Sequence, residues 1–483
     1  MSSRAPRAFA LDALLVVAAN AVVKPVYLLG VDLGVQNAVG TAAYGRYATW
    51  YAFALLFGVV YDLGLHNYNA IAVSRDPASL RERLPVTLSL KLVLSLAFGA
   101  LVVGAAYAAG ARGRDLGLAA LAAAYHAALS LWQLLRTNLG AQGRHRVNSL
   151  LGVVDKALLV LGLGAVLLVP AWRAGLTVEG FFAAQLAALG VATALTLAAT
   201  RLAPGQRWWR WDWAAARGLV AAALPYGLVL LLTTAFTRLD VVMVEALAPA
   251  GRGDFAAGVY AAAYRLLDAV NVAGVLLAGL LLPMLTQAVA RREPAAALMR
   301  QASGYLLAVG IGVAAWTSLH GPALAGALYA EAAEASGRVL AWLMWSGLGV
   351  GLAYVHGSYL LARGRLRALN VTFAVALAAN LALNAWLIPR YGPAGAAAAT
   401  VVTQGGVGAL EAGLARRLEG EAVVPAAWRL LAYGGVVSAT AYLLPPAALG
   451  TFGSLAACAA ACAACGLGVG LLDDPRALLP NRT

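Results

Sequence analysis

Charge is what this sequence has least of. Only 12% of its 483 residues are Asp, Glu, Lys or Arg, against about 25% in soluble domains, and 62% are hydrophobic. A chain so poor in charge cannot cover a water-facing surface, which excludes a soluble globular protein. Histidine is scarce too, and His66, His126, His145, His320 and His356 are scattered, so each reads as a helix-packing or loop residue. The three cysteines, Cys458, Cys462 and Cys465, fall in one apolar run at helical spacing with no histidine beside them. That pattern is a packing face, not a metal site or a disulfide framework. No stretch between apolar runs is long enough for a soluble domain, and the longest outward loop, residues 320–337, offers only His320, Glu331 and Glu334 as chemical groups. No paired metal-ligand spacing, phosphate-cradling glycine loop or nucleophile elbow is present. We therefore expect no catalytic residues, no cofactor, no metal, and a protein that is not an enzyme.

What the chain has in abundance is apolar runs of membrane-spanning length. Roughly fourteen recur, beginning near Phe9, Tyr44, Pro85, Leu116, Val147, Gly180, Gly218, Ala256, Ser303, Arg338, Asn370, Ala394, Trp428 and Thr451. With a mean hydropathy of +0.78, they predict an all-α polytopic membrane protein of about 14 transmembrane helices. The first run is longer than a signal-peptide core, carries Asn20 and Lys24, and lacks a small-residue cleavage site, so it reads as a retained helix. The formal charge of +14 is topological: Arg4, Arg7 and every even-numbered loop are basic, from Arg75, Arg81 and Arg83 through Arg136, Arg144 and Arg146 to Arg416, Arg417 and Arg429. Roughly 23 arginines fall on that side against 7 on the other. The positive-inside rule then puts both termini in the cytoplasm, with the protein in the cytoplasmic (inner) membrane. Membrane lipids, not nucleic acid, are the partners of this charge.

An internal repeat organises the runs. GRYATWY (Gly45 to Tyr51) opens the second run as GVYAAAY (Gly258 to Tyr264) opens the eighth, and AQGRHRVN (Ala141 to Asn148) follows the fourth as ARGRLRALN (Ala362 to Asn370) follows the tenth. Asn20 and Lys24 correspond likewise to Thr234 and Arg238. The offsets are roughly 213 to 222 residues, so the first six runs match the next six. Six is even, which makes these parallel repeats with a site expected between them near the midplane. The expected organisation is an N-lobe over 1–200, a cytoplasmic linker over 201–217, a C-lobe over 218–417, and two further helices over 428–472. The linker carries Trp208, Trp209, Trp211 and Trp213 among arginines and reads as an interfacial segment.

The stretch Leu224 to Gln287 carries charge where a lipid-facing helix should not: Arg238, Asp240 and Glu245, then Arg265 and Asp268. Each costs on the order of 3 kcal/mol at a helix centre, and such residues mark substrate paths. The first lobe offers Lys24, with Pro25 set to kink its helix, and Asp62. Asp155 and Lys156, in the fifth run, are read as pointing to the same place. Lys24, Arg238, Arg265 and Lys156 are thus candidate ligands for an anionic, amphipathic substrate, because arginine grips phosphate oxygens bidentately and lysine as a point charge. Asp62, Asp240, Glu245 and Asp268 are candidate counter-charges or ion-coupling groups. Buried structural ion pairs are the simpler reading of any one of these residues.

The segment YGRYATWYAFALLFGVVYDLGL followed by Arg75, the pair TRLDVVMVEAL and GVYAAAYRLLD ending in Pro283, and NLALNAWLIPRYGPAGAAAAT (Asn380 to Thr400) together resemble bacterial polysaccharide and lipopolysaccharide O-unit flippases. These belong to the multidrug/oligosaccharidyl-lipid/polysaccharide exporter superfamily. The resemblance covers nearly the whole chain. It implies a flippase that moves an undecaprenyl-diphosphate-linked oligosaccharide outward by alternating access, with a proton or sodium ion for coupling and a polysaccharide polymerase as partner. It places Lys24, Arg238 and Arg265 in a central cationic cavity, with Asp62, Asp240 and Asp268 as counter-charges or coupling groups. A lipid II (peptidoglycan precursor) flippase shares that fold but would carry more arginine in the first two runs than Lys24 and Arg46 provide. A drug/cation antiporter would want an acidic or apolar cavity. A membrane-embedded polysaccharide polymerase or ligase would show a large outward loop with catalytic residues, and a channel or scaffold would not need the repeat.

Overall fold

The computed structural model describes residues 22–66, 69, 73, 76, 79–200, 209–249, 251–468 and 471, and among the described residues every regular element is helical. Asn20, the basic residues Arg4, Arg7, Arg75, Arg476 and Arg482, and linker residues 201–208 lie outside the described residues. The chain forms two compact units, Met1–Val242 and Met243–Thr483.

In the first unit a π-helical turn, Tyr27–Asp32, begins two residues after Pro25 and runs into α1, Leu33–Val39. α1 ends at Gly40, whose φ of 87° no residue with a Cβ adopts without strain. Then follow α2 (Thr41–Leu56), α3 (Gly58–Asp62), α4 (Leu80–Ala108), α5 (Arg114–Ala141), α6 (His145–Leu168), the short α7 (Pro170–Ala174), α8 (Val178–Thr200) and α9 (Trp213–Leu247), whose residues from Met243 onward belong to the second unit. Lipid offers helices no hydrophobic drive to associate, so packing contacts and interhelical hydrogen bonds must do it. The Tyr47 ring of α2 accordingly lies 5.0 and 4.6 Å from the rings of Phe181 and Phe182 on α8. Trp132 on α5 donates from its indole nitrogen to Thr196 Oγ1 at 3.1 Å.

The second unit comprises α10 (Gly253–Arg291), α11 (Ala296–Leu328), α12 (Ala333–Leu343), α13 (Ser346–Ala362), α14 (Leu366–Tyr391), α15 (Pro393–Glu419), α16 (Ala427–Leu443) and α17 (Pro446–Gly468). Close approach here depends on missing side chains. A Cβ on Gly349 of α13 would strike the Gln404 carbonyl of α15, and one on Gly408 would stand 2.5 Å from the Gly349 carbonyl oxygen. Small residues let the two backbones nearly touch, as tightly packed membrane helices require. The cysteines sit in α17, where Cys458 is buried with Trp316 and Tyr433; all three thiols are free.

Eight described helices are long and apolar enough to cross a membrane, and the pair α12 and α13, bent by 41°, makes a ninth. The protein is thus a multi-pass membrane protein, although length and apolarity alone do not reproduce the fourteen runs read from the sequence. Some expected spans are short: α2 has 16 residues and breaks at Phe57, and α16 has 17.

The glycine seam gives a direct test. Gly349→Ala should cost at least about 1–3 kcal/mol through overpacking and reduce the monodisperse fraction in fluorescence-detected gel filtration. Gly405→Ala, one residue past the contact and facing open space, should behave as wild type. Equal behaviour of the two would show that backbone contact does not set this pair.

Candidate functional site

The first unit collects cations around the start of the chain. Lys24 is exposed, one residue before Pro25, and within electrostatic reach of Arg136, Asp155 and Lys156. Lys156 Nζ stands 3.2 Å from Asp155 Oδ2 and 4.5 Å from the centre of the Tyr27 ring. Lys156 and Arg238 both act electrostatically on the Tyr51 hydroxyl, and Arg238 also on His126. Lys24, Lys156 and Arg238 therefore belong to one unit and share neighbours. Arg136, read from sequence as a loop cation, is on α5, because that helix runs on to Ala141 before the turn at Gly143. Its Nε donates to Asn148 Oδ1 at 2.8 Å, its guanidinium lies 4.9 Å from the Trp132 ring centre, and Gly152 leaves room for it.

Asp62 is buried at the end of α3, and its partner is Lys91 of α4, 2.6 Å away with a side chain wholly shielded from solvent. Neither group could sit there alone, since removing one partner of a buried pair costs about 3–5 kcal/mol. Lys91 carries no signal except that it is a lone lysine inside the apolar run LPVTLSLKLVLSLAF. His66 links this pair to the cations: it lies within electrostatic reach of Asp62, Lys91 and Arg136, and Thr137 Oγ1 is 3.1 Å from its ring nitrogens.

A second polar centre went unread in the sequence. Asp32, at the end of the π-helical turn, is buried and accepts a hydrogen bond from Tyr44 Oη, which is 3.1 Å from both carboxylate oxygens. Gln185 Nε2 donates to Tyr47 Oη at 3.0 Å and to Tyr27 Oη at 3.3 Å. Single-turn π segments inside helices recur at functional sites, and this one carries Tyr27 and Asp32 together. The available signal was Asp32 itself, a lone carboxylate in the run VYLLGVDLGV.

Asp240 is buried on α9 in the first unit, whereas Glu245, Arg265 and Asp268 belong to the second. Arg265, 4% exposed, donates from Nη1 to Tyr329 Oη at 3.3 Å, and Tyr329 Oη in turn donates to the Ala262 carbonyl at 2.8 Å. Asp268 follows on the same helix and is half-buried, as is Glu245 near the end of α9. Beside them runs a buried polar row: Asn384 Nδ2 donates to Asn380 Oδ1 at 2.9 Å, and Tyr260 Oη lies 3.2 Å from Thr400 Oγ1.

Residues 26–289, more than half the chain, match the model of a family described as polysaccharide biosynthesis protein. The chain belongs to that family. Its fold resembles that of the lipid II flippase MurJ in an inward closed conformation, with a TM-score of 0.69 and 12% identity over 95% of this chain and 98% of that one. It also resembles an inward-facing multidrug resistance transporter of the MATE family, with a TM-score of 0.64 and 15% identity over 81% and 94%. A transporter of the same MOP superfamily from Pyrococcus furiosus gives 0.57 and 16% over 85% and 95%. No curated protein sequence matches. The polysaccharide biosynthesis family and a transporter's all-helical fold thus meet in one chain.

The Asp62 and Lys91 pair can be tested by a double-mutant cycle in thermal unfolding of the purified protein. Lys91→Met or Asp62→Asn alone should destabilise by about 3–5 kcal/mol, and the two together should restore most of that loss. Additive losses would mean that the groups do not depend on each other.

Proposed function

We propose that the protein is a flippase that carries an undecaprenyl-diphosphate-linked oligosaccharide repeat unit across the cytoplasmic membrane by alternating access, for assembly of a surface polysaccharide such as O-antigen or exopolysaccharide. The observation that carries this reading is that Lys24 lies within electrostatic reach of both Arg136 and Lys156, with Asp155 as the carboxylate among them, inside an apolar helical unit. Like charges so grouped repel, and a diphosphate supplies the negative charge that offsets them. Lys24, Lys156, Arg238 and Arg265 are assigned to the diphosphate. Asp62, Asp240, Glu245 and Asp268, together with Asp32, are assigned to counter-charge or coupling by a proton or sodium ion. Residues 1–200 and 218–417 act as the two moving lobes, with 428–472 appended. Both termini face the cytoplasm, as the basic loops require, and the product passes to a polysaccharide polymerase.

A lipid II flippase is the second reading, favoured by the likeness to MurJ over nearly the whole chain. It needs the same cationic grip on a diphosphate and differs in the glycan.

The test is flipping of fluorescent undecaprenyl-diphosphate glycans in proteoliposomes. Lys24→Ala, Lys156→Ala and Arg238→Ala should each slow flipping by roughly tenfold or more, since one hydrogen bond to a charged group contributes about 1.5–3 kcal/mol. Wild-type rates in all three would overturn the cationic site. Flipping of lipid II in preference to an oligosaccharide unit would select the second reading.

A further inference from the structure

Glu411 lies in the middle of ALEAGLARR on α15, five residues before Arg416, where the sequence suggests an exposed helix end. It is instead 1% exposed, and neither carboxyl oxygen has a hydrogen-bond partner among the described residues. The carboxyl rests against α13, where Oε2 would stand 3.0 Å from a Cβ placed on Gly357. A side chain at 357 would crowd it, so the glycine forms a notch in which the carboxyl is seated.

The helices packed most closely against α15 are α10, α12, α13 and α14, with Met299 and Ala302 of α11 in the same buried cluster as Ala412 and Ala415, and none of their charged groups bonds the Glu411 carboxyl; Arg300 of α11 donates to the Ala422 carbonyl at 3.0 Å. On α13, the His356 ring nitrogens face the Leu352 and Val423 carbonyls at 2.8 and 3.4 Å. Tyr359 Oη and Arg363 Nη2, next along the chain, both donate to Glu419. Arg390 of α14 donates to the Trp386 carbonyl at 2.7 Å, and Arg338 of α12 pairs with Glu334 at 3.2 Å. Arg265 of α10 bonds Tyr329. The remaining charged groups of these helices, Asp254, Asp268, Arg291 and Arg367, and Arg416 and Arg417 of α15 itself, make no hydrogen bond to Glu411.

An ionised carboxylate in such a place bears its full desolvation cost with nothing to offset it. One ligand removes that cost without any neighbour moving. A proton taken from water and bound to either oxygen converts the carboxylate to a neutral acid, and no other bond changes. We propose that Glu411 is a proton-binding site of the second unit, loaded while its carboxyl is seated against Gly357 and discharged when the α13 and α15 seam admits water, so that it couples proton movement to transport. The coupling role rests on the flippase reading; the proton site does not.

The proton site is therefore tested without substrate. Infrared difference spectra of the purified protein in nanodiscs, taken as pH is raised, should show a carboxylic-acid carbonyl band at neutral pH that bleaches in alkali and is absent from Glu411→Gln. Thermal stability supplies an independent readout. Glutamine imitates the protonated acid, so Glu411→Gln should match wild type at low pH and exceed it at high pH. Superimposable spectra and parallel stability profiles would overturn the site. In proteoliposomes, an imposed pH gradient should accelerate flipping by wild type severalfold and leave Glu411→Gln unresponsive; equal responses would overturn the coupling. Absence of flipping by wild type with a titrating band would count against the flippase reading and for the proton site.

Discussion

An ammonium group fully withdrawn from water costs several kcal/mol unless an opposite charge goes with it. Lys91 is such a group, and the position of Asp62 2.6 Å away is what permits it. The same constraint orders much of the first unit. Asp32 is buried because Tyr44 donates to it, and Lys156 is held between Asp155 and the face of Tyr27. Helices that bring these partners together cannot slide independently without separating them. The Asp62 and Lys91 pair, the Tyr44 hydrogen bond to Asp32 and the Lys156 contact with Tyr27 thus fix helix register in a medium where apolar contact alone would not.

The second unit meets the problem of association by another route. Glycines 349, 395 and 408 each place a backbone against a backbone, and the buried side chains beside this seam include uncharged amides and hydroxyls, such as Asn380, Asn384 and Thr400, as well as the carboxyl of Glu411. Close packing of this kind tolerates small displacements poorly, because an added methyl group already collides. A seam of this type therefore tends to have two discrete arrangements, not a continuum.

Much of this was legible in the sequence for a plain reason: charge in an apolar run is expensive, so each such residue announces itself. That rule singles out Lys24, Lys156, Asp62, Arg238 and Arg265 as candidates, and the helical class follows from the apolar runs. Which groups meet was not legible. Asp62 finds Lys91 on a neighbouring helix, and Gln185 reaches Tyr47 from 138 residues away; no local spacing encodes either. Asp32 and Lys91 obey the same rule as the residues that were found, yet each stands alone in its run with no second charge to draw attention. Arg136 reads as a loop residue because basic residues cluster in loops, although α5 extends past it. A break such as the one at Phe57 is likewise not legible, since a run of apolar residues does not reveal where a helix is interrupted.

The distribution of partners separates groups that hold the fold from groups free to serve a ligand. A buried charge whose counter-charge is at contact distance, as with Lys91, has its desolvation cost met within the protein. Lys24 is exposed and its surroundings include two further cations, Arg136 and Lys156, against one carboxylate. Such a group gains more from an incoming anion than Lys91 could, because no internal pair need be broken first. On the proposed flippase reading, Lys24 and its neighbours are therefore better placed to take up an anion than Lys91, while the Asp62 and Lys91 pair holds its helices in place.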